Sequence, residues 1–519
     1  MTNSMSTTPA DVCLILEGTY PYVAGGVSTW THDLLLAHPE LRFHLVSLLP
    51  KREERKARYT MPSNVVGIDH IYIQDMPIGA RRVSDGPKLF AALEQALGRM
   101  QSPIGDYADL AAIIEALRPH RDVLGRRLLL NSEAAWNLLV RMYDERLSSS
   151  SFLDYFWSWR ALVGGMYSVV LPPIPAAKVY HTASTGYAGL FAARARLETG
   201  RPVLVTEHGI YTNERRIEVA MADWLFEGPT EGLNVDIWRR SLKDMWTDTF
   251  ASYSRACYAA SERVITLYEG NQQFQLDDGA LPEKLSIIPN GIAINRYAPL
   301  RREGAAPRDG GRPPHVALIG RVVPIKDIKT FIRACGMLRD KVADLKASIV
   351  GPYDEDPDYY AECRRMILQM ELGSVVTFTG PVRLDQFLGQ VDVQVLTSIS
   401  EGMPLVVLEA GAAGIPSVVT DVGACREMIL GRRSESPSFG PAGTVTPLSN
   451  PKATADACLA LLTDRDWYLN CSTAMRRRVH RYYDKADQDR SYRALYDACM
   501  ALPDRRPTAA EGTSLQAAE

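Results

Sequence analysis

Two α/β domains, each a doubly wound parallel sheet, are predicted for this 519-residue chain from three features of its sequence. Short runs rich in Val, Ile and Leu recur along it, they alternate with stretches of helical period, and one Pro-, Gly- and Arg-rich segment divides the series in two. Apolar runs that lack the in–out alternation of a half-exposed strand mean strands buried on both faces. Such burial requires parallel pairing under layers of helix. The expected strands are 12–16, 43–48, 203–206 and 264–266 in the first half, and 316–319, 348–350, 375–379, 393–396 and 417–420 in the second. The amphipathic stretch 327–338 predicts a helix after the first strand of the second half. The two sheets are expected to face a central cleft.

The dividing segment, residues 299–314, reads PLRREGAAPRDGGRPP and has no periodicity, so it is expected to be a linker or exposed loop. It sets a first domain at 1–298 and a second at 315–480. Residues 79–172 break the strand–helix alternation, with helical patterns over 89–100, 108–117 and 132–147, and predict a helical insertion in the first domain. A last helix is expected within 481–502, and the polar end, 503–519, is expected to be disordered.

Composition narrows the function classes. Lys and Arg total 58 against 61 Asp and Glu, a formal net charge of −3, which gives no basic field for nucleic acid. Eight cysteines are scattered without a CxxC pair, against a structural zinc site or a disulfide framework and in keeping with a reducing compartment. The first ten residues lack the basic-then-apolar order of a signal peptide. The longest apolar stretch, 162–177, is broken by Pro172, Pro173 and Pro175 before it could serve as a transmembrane segment. The expected location is cytoplasmic, with recruitment to a membrane only through partners.

The residues that carry chemistry fall after expected strands. The first strand leads into a loop, Glu17 to Gly26, then a helical pattern. Gly25 and Gly26 there let a ligand approach the backbone at a helix start, although a tight strand–helix turn would read the same. The spacing is not GxGxxG, which weighs against a nicotinamide oxidoreductase. His208 follows the strand 203–206 and could hydrogen-bond a substrate hydroxyl or, equally, a nearby carbonyl. Gly320-Arg321 ends the first strand of the second half and Lys326 opens the next helix. They form a cation pair suited to a leaving pyrophosphate, if not simply a solvated basic loop. The strongest segment is 398–420. Glu401 and Glu409 stand in an E-x7-E pattern around Pro404 and Leu405, where a helix is expected to begin with its free N–H groups toward the strand ends. Glu409, about one turn in, could accept two hydrogen bonds from a ribose diol, and Glu401 could bind sugar hydroxyls. Either alone would also fit an acidic residue favoured by a helix dipole. Residues 423–427, after another expected strand, are placed at the same ligand edge. Asp354-Glu355-Asp356 has the DxD form of a metal–diphosphate site but sits at an expected helix start, where acidic residues cap.

Taken together, the glycine loop, His208, Ile288-Pro289-Asn290-Gly291-Ile292, Gly320-Arg321 with Lys326, and Glu401-x7-Glu409 resemble a retaining glycosyltransferase of family 4 with the GT-B fold. The blocks Leu16–Pro21, Gly25–Trp30 and Thr206–Tyr211 resemble the branch of that family serving Pel exopolysaccharide synthesis. The resemblance implies an acceptor-side first domain, a nucleotide-sugar second domain, and a final helix crossing back to the first. It implies a UDP-sugar donor (UDP-glucose or a UDP-N-acetylhexosamine), a polysaccharide acceptor and inner-membrane Pel synthase components as partners, with no cofactor and no metal. Catalytic roles would fall to His208, Arg321, Lys326 and Glu401. Donor binding would fall to Gly25, Gly26, Asn290, Arg321, Lys326, Glu401, Pro404, Leu405 and Glu409. A UDP-sugar epimerase-like enzyme, a phosphorylase, or a non-catalytic UDP-sugar-binding regulator of a membrane synthase would share much of this pattern.

Overall fold

The structure, a computed structural model, describes residues 9–23, 25–221, 240–300, 304–307 and 311–503. These divide into two compact units. The first runs to Thr266 and adds Asn271–Ser286 and the chain from Tyr492; the second takes Leu267–Gly270 and Ile287–Ser491.

The first unit is built on seven strands: β1 (Ala10–Glu17), β2 (Phe43–Leu49), β3 (Val65–Tyr72), β4 (Ala177–Thr182), β5 (Val203–Glu207), β6 (Arg263–Thr266) and β7 (Leu285–Ile287), in the order β3-β2-β1-β4-β5-β6-β7. Pairing is parallel from β3 through β6. Val12, Val179, Val205 and Val264 are fully buried, as strands covered on both faces must be. The helix Tyr187–Thr199 packs on β1, β4 and β5. It carries Leu242–Ala260, against which the helical insertion lies.

That insertion is helical throughout, with Gly86–Met100, Tyr107–Leu117, Glu133–Arg146 and Phe152–Val170 as its main elements. Each of the last three starts at a side chain that satisfies free N–H groups. Asp106 and Asp109 form a reciprocal capping box, and Ser132 and Ser151 accept from the third residue of their helices. Leu93, Leu110, Ile113, Leu138, Trp159 and Leu162 are fully buried and fuse this layer to the core under the sheet.

The second unit has six parallel strands: β8 (His315–Ile319), β9 (Lys346–Val350), β10 (Val376–Gly380), β11 (Val393–Leu396), β12 (Ser417–Thr420) and β13 (Gly443–Thr446), in the order β10-β9-β8-β11-β12-β13. Its core packs Phe331, Ile349, Val395 and Val418 between the sheet and the helices Ile328–Arg339 and Pro451–Thr463. On the helix Arg465–Tyr482, the Arg478 side chain is only 1% exposed. It donates two hydrogen bonds to Glu435, at 2.7 and 2.9 Å, and others to the carbonyls of Met428, Ile429 and Gly440. The final helix, Lys485–Met500, belongs to the second unit up to Ser491 and to the first from Tyr492.

Nine strands lie where the sequence places them, within one or two residues at each end. Four were not legible. β3, β7 and β13 are edge strands, and β3 is mostly half-exposed, so the continuous apolar signal is missing. β4 is central, but Lys178 and His181 interrupt its apolar pattern. His181 is buried because both ring nitrogens are hydrogen-bonded. Part of the expected linker (301–303 and 308–310) and the expected tail from 504 lie outside the described residues. All eight cysteines are buried and free. Among the described residues no helix is long and apolar enough to cross a membrane.

Replacing Arg478 with Met would strip the nearly buried Glu435 carboxylate of its ion-pair partner, leaving it the Phe439 N–H, and would remove a donor from the carbonyls of Met428, Ile429 and Gly440. The expected loss is about 3–5 kcal/mol of second-unit stability, read by denaturant unfolding.

Candidate active site

In the second sheet the strand order reverses between β8 and β11. Loops leaving the carboxyl ends of two such strands diverge and open a crevice. The loop after β8 carries Gly320, Arg321 and Lys326; the loop after β11 carries Ser398, Glu401 and Pro404. They are joined by a hydrogen bond from the Ile399 N–H to the Ile325 carbonyl at 2.8 Å. Thr397 Oγ1 adds contacts of 3.0 Å to the carbonyls of Lys326 and Asp327.

The structure brings Lys326 and Glu401 together. The ammonium donates to Glu401 Oε1, and the two side chains are 21% and 12% exposed, so the ion pair is largely out of water. Ser398 Oγ donates to the same oxygen at 2.6 Å. The Lys326 stem lies over Gly320. Behind Glu401 stands the turn after β12. Gly423 has φ +52, and a side chain there would sit 2.2 Å from the Glu401 carbonyl oxygen, so a glycine is required on both counts. The Ala424 N–H donates to the Gly402 carbonyl at 2.8 Å. In the same region Glu427 accepts from the Glu269 N–H, 2.8 Å, and Arg426 pairs with Asp421.

Pro404 is the N-cap of the helix Leu405–Ala412, and no side chain caps it, so its first N–H groups have no side-chain acceptor. Glu409, one turn in, accepts from the Tyr297 hydroxyl at 2.8 Å. Burial raises the Glu409 carboxyl above its ordinary range, with Tyr297 and Arg296 pulling the other way. Arg321 is exposed and bound instead to Glu355 at 2.5 Å. Asp356, the other end of the DxD-like triplet, caps the helix Pro357–Gln369 by accepting from the Tyr359 N–H. Asn290 is engaged by the Gln488 amide, and the Gly291 N–H donates to Gln488 Oε1 at 3.0 Å. Gly291 itself lies against the backbone of Lys485, where a side chain would clash at 2.6 Å. The Asn-Gly-Ile segment thus anchors the start of the final helix.

The first sheet reverses its order between β1 and β4. After β1, Gly25 is the N-cap of the helix Gly26–Ala37, again without a side-chain cap, and the space over Gly25 and Gly26 is open. At the end of β5, His208 packs edge-on against Trp30, with ring centroids 4.7 Å apart. Its Nε2 is buried with no hydrogen-bond partner among the described residues. Burial pushes the imidazole down to about 4, so it is neutral near pH 7.

Three features of this unit were missed from sequence. Glu207, 1% exposed, accepts from Tyr258 at 2.6 Å, Gln275 at 2.9 Å, Thr185 at 3.3 Å and the Tyr211 N–H at 3.4 Å. It thereby fixes the turn that carries His208. Glu17 accepts from the Ala188 N–H and the Tyr211 hydroxyl. His181 bridges Thr206 and Tyr496, and Thr206 contacts Tyr492. The acidic residues at the ends of β1 and β5 were a usable signal, because a charged group closing an apolar strand needs partners. The tyrosines of the final helix gave none, since their partners are about 300 residues away.

Two parallel-sheet units, each reversing its strand order, with a final helix shared between them, define the GT-B fold. The comparisons agree. The sucrose-phosphate synthase of Thermosynechococcus elongatus matches with a TM-score of 0.53 at 17% identity, over 94% of this chain and 99% of that one. Anabaena HepE, solved in complex with UDP, matches with a TM-score of 0.55 at 13% identity, over 94% and 99%. In sequence, a D-inositol 3-phosphate glycosyltransferase of Paenarthrobacter aurescens is 31% identical over 193 residues, 36% of this chain and 45% of that protein. An MMP alpha-(1->4)-mannosyltransferase of Mycolicibacterium hassiacum is 24% identical over 266 residues, 51% and 56%. The chain thus spans about half the length of these curated relatives. Residues 10–283, more than half of the chain, match the family described as Domain of unknown function (DUF3492), to which the chain belongs, and residues 313–464 match Glycosyl transferases group 1.

The buried titratable groups predict opposing pH dependences. Burial pushes Glu207 from 4.5 up to about 7, so the folded chain keeps a proton that the unfolded chain releases. Its contribution to stability is full below about pH 4.5 and lost as pH rises through 7. His208, and His181 pushed down to about 3, stay neutral where the unfolded chain protonates. Their contribution is full above about 6.5 and lost on acidification toward 4 and 3. Replacing Glu207 with Gln should remove roughly 2–3 kcal/mol of the stability lost between pH 5 and 8, measured by denaturant unfolding across that range.

Proposed function

We propose that the protein is a retaining, metal-independent glycosyltransferase of the PelF type, which moves a hexose from a UDP-sugar to a growing Pel polysaccharide. The observation that carries this reading is the site at the reversal of the second sheet: a largely buried Lys326–Glu401 pair beside an uncapped helix start and the buried Glu409. The group 1 match over residues 313–464 and the sugar-transferring relatives support it.

Breaking the bond from the anomeric carbon to a diphosphate sends the electron pair to a phosphate oxygen and leaves positive character on the sugar. Lys326, with Arg321 released from Glu355, would neutralise the leaving diphosphate, and the N–H groups at Leu405 would add hydrogen bonds. Glu409 would take the ribose diol in place of Tyr297. Glu401 would hold hydroxyls of the donor sugar. Retention follows if the acceptor hydroxyl attacks from the face the diphosphate leaves and gives its proton to a diphosphate oxygen. A neutral His208 would offer the sugar an uncharged hydrogen bond through its unpartnered Nε2 and add no positive charge beside the reacting carbon. The acceptor and inner-membrane Pel partners rest on the sequence resemblance.

Titration of the purified protein with UDP, UDP-glucose, UDP-N-acetylgalactosamine and UDP-N-acetylglucosamine, with and without magnesium, tests the reading. We expect metal-independent UDP binding that is lost in Glu409→Ala, and the tightest sugar names the donor. Lys326→Ala should lower turnover by roughly 10²–10³-fold with its fold intact. Unchanged UDP affinity in Glu409→Ala, or undiminished transfer in Lys326→Ala, would sink the assignment.

A further inference from the structure

The helical insertion holds a cavity of about 550 Å³, within the size range of small-molecule sites. Its apolar wall is Phe90, Leu128 and Val83, and its cations are Arg81, Arg82 and Arg141. Arg141 is spent on Glu94, to which it donates at 2.6 and 2.9 Å. Arg81 and Arg82 make no hydrogen bond or ion pair with the described residues. Against them stands one carboxylate not engaged by an ion pair, Glu133, at the start of its helix. The starts of Gly86–Met100 and Glu133–Arg146 also border the cavity, and no side chain caps the first of them. Two adjacent forked donors beside an apolar wall suit a phosphate group joined to an apolar body.

A second observation lies on the same helix, Glu133–Arg146. Trp136 is 49% exposed and packs on Phe152 and Phe156, with ring centroids 5.8 and 6.1 Å apart. Trp157 and Leu153, each 62% exposed, extend this patch. Exposed tryptophans on an apolar patch suit a surface that is half wet and half apolar.

We propose that this cavity binds an amphiphilic phosphate ester, with Arg81 and Arg82 on the phosphate and the apolar part on the wall of Phe90 and Leu128. The site is separate from the transferase residues and stands or falls without them. The chemistry has two sources, a phospholipid headgroup at a bilayer or a soluble phosphate ester, and the exposed tryptophans favour the first.

The full-length protein is sedimented with phosphatidylcholine vesicles with and without phosphatidylglycerol. It is also titrated with soluble dihexanoylphosphatidylglycerol and with glycerol phosphate. The same is done for the doubly substituted Arg81→Gln, Arg82→Gln protein, whose exposed changes leave the melting temperature unchanged. Binding that requires phosphatidylglycerol and weakens about tenfold or more in the double variant supports the lipid source. Binding of a soluble ester alone, with the same arginine dependence, supports the soluble one. Binding of none of these probes, equal binding to both vesicle types, or binding indifferent to the two arginines overturns the proposal.

Discussion

The reversal of strand order in each parallel sheet is the constraint on which the rest depends. A parallel sheet exposes the carboxyl ends of its strands along one edge, and only where neighbouring connections diverge does that edge open. In the second unit the opening lies between β8 and β11, and the side chains that fill it come from the two loops flanking it. Lys326 and Glu401, 75 residues apart in sequence, meet for that reason. Their loops are not left to settle independently. The Ile399–Ile325 backbone bond, the Thr397 contacts and the Gly423 turn behind Glu401 hold both backbones independently of the side-chain pair. The two charges are therefore held rather than merely close, which is the condition for electrostatic preorganisation.

Most of this was legible in the sequence because it depends on local signals. Buried parallel strands announce themselves as apolar runs, and nine of thirteen did so. The helix at Leu405 is announced by Pro404, which also fixed where Glu409 would fall. What was not legible depends on partners distant in sequence. β4 was hidden by His181, a polar residue made tolerable in the core by Tyr496 and Thr206. Asn290 reads as a ligand residue from its motif, but its neighbours in the folded chain are Gln488 and the start of the last helix. Arg321 stood beside Lys326 in the sequence reading, yet the two cations take different carboxylates, Glu355 and Glu401. Position along a loop says which edge a residue reaches and nothing about which partner it finds there.

The first unit shows what it costs to bury polar groups at the ends of central strands. Glu207, His181 and Thr206 are buried at or near the ends of adjacent central strands, where an unpaired polar atom is expensive. Each is satisfied by a neighbour from another element, and the last helix supplies two of the tyrosines. The Nε2 of His208 has no partner among the described residues, and neither do other buried side-chain atoms of this unit such as Gln275 Oε1 and Ser184 Oγ. Glu207, one residue earlier, is satisfied by four donors.

The resting state of the second-unit site also carries information about what can bind there. Glu401 Oε1 is shared by the Lys326 ammonium and the Ser398 hydroxyl, in a region that excludes most water. A ligand offering only an anion would draw Lys326 away and leave Glu401 with one neutral donor. A ligand offering only hydroxyls would compete with the lysine and gain little. Either exchange strands part of a buried charge, at a cost of several kcal/mol when one partner of such a pair is lost. A molecule that presents a diphosphate and a polyol together replaces both partners at once. In the proposed complex Lys326 would trade a carboxylate for phosphate oxygens, and Glu401 would trade an ammonium for hydroxyl donors while keeping Ser398. On the proposed reading, the ion pair would favour ligands that join the two groups, as a nucleotide-sugar does.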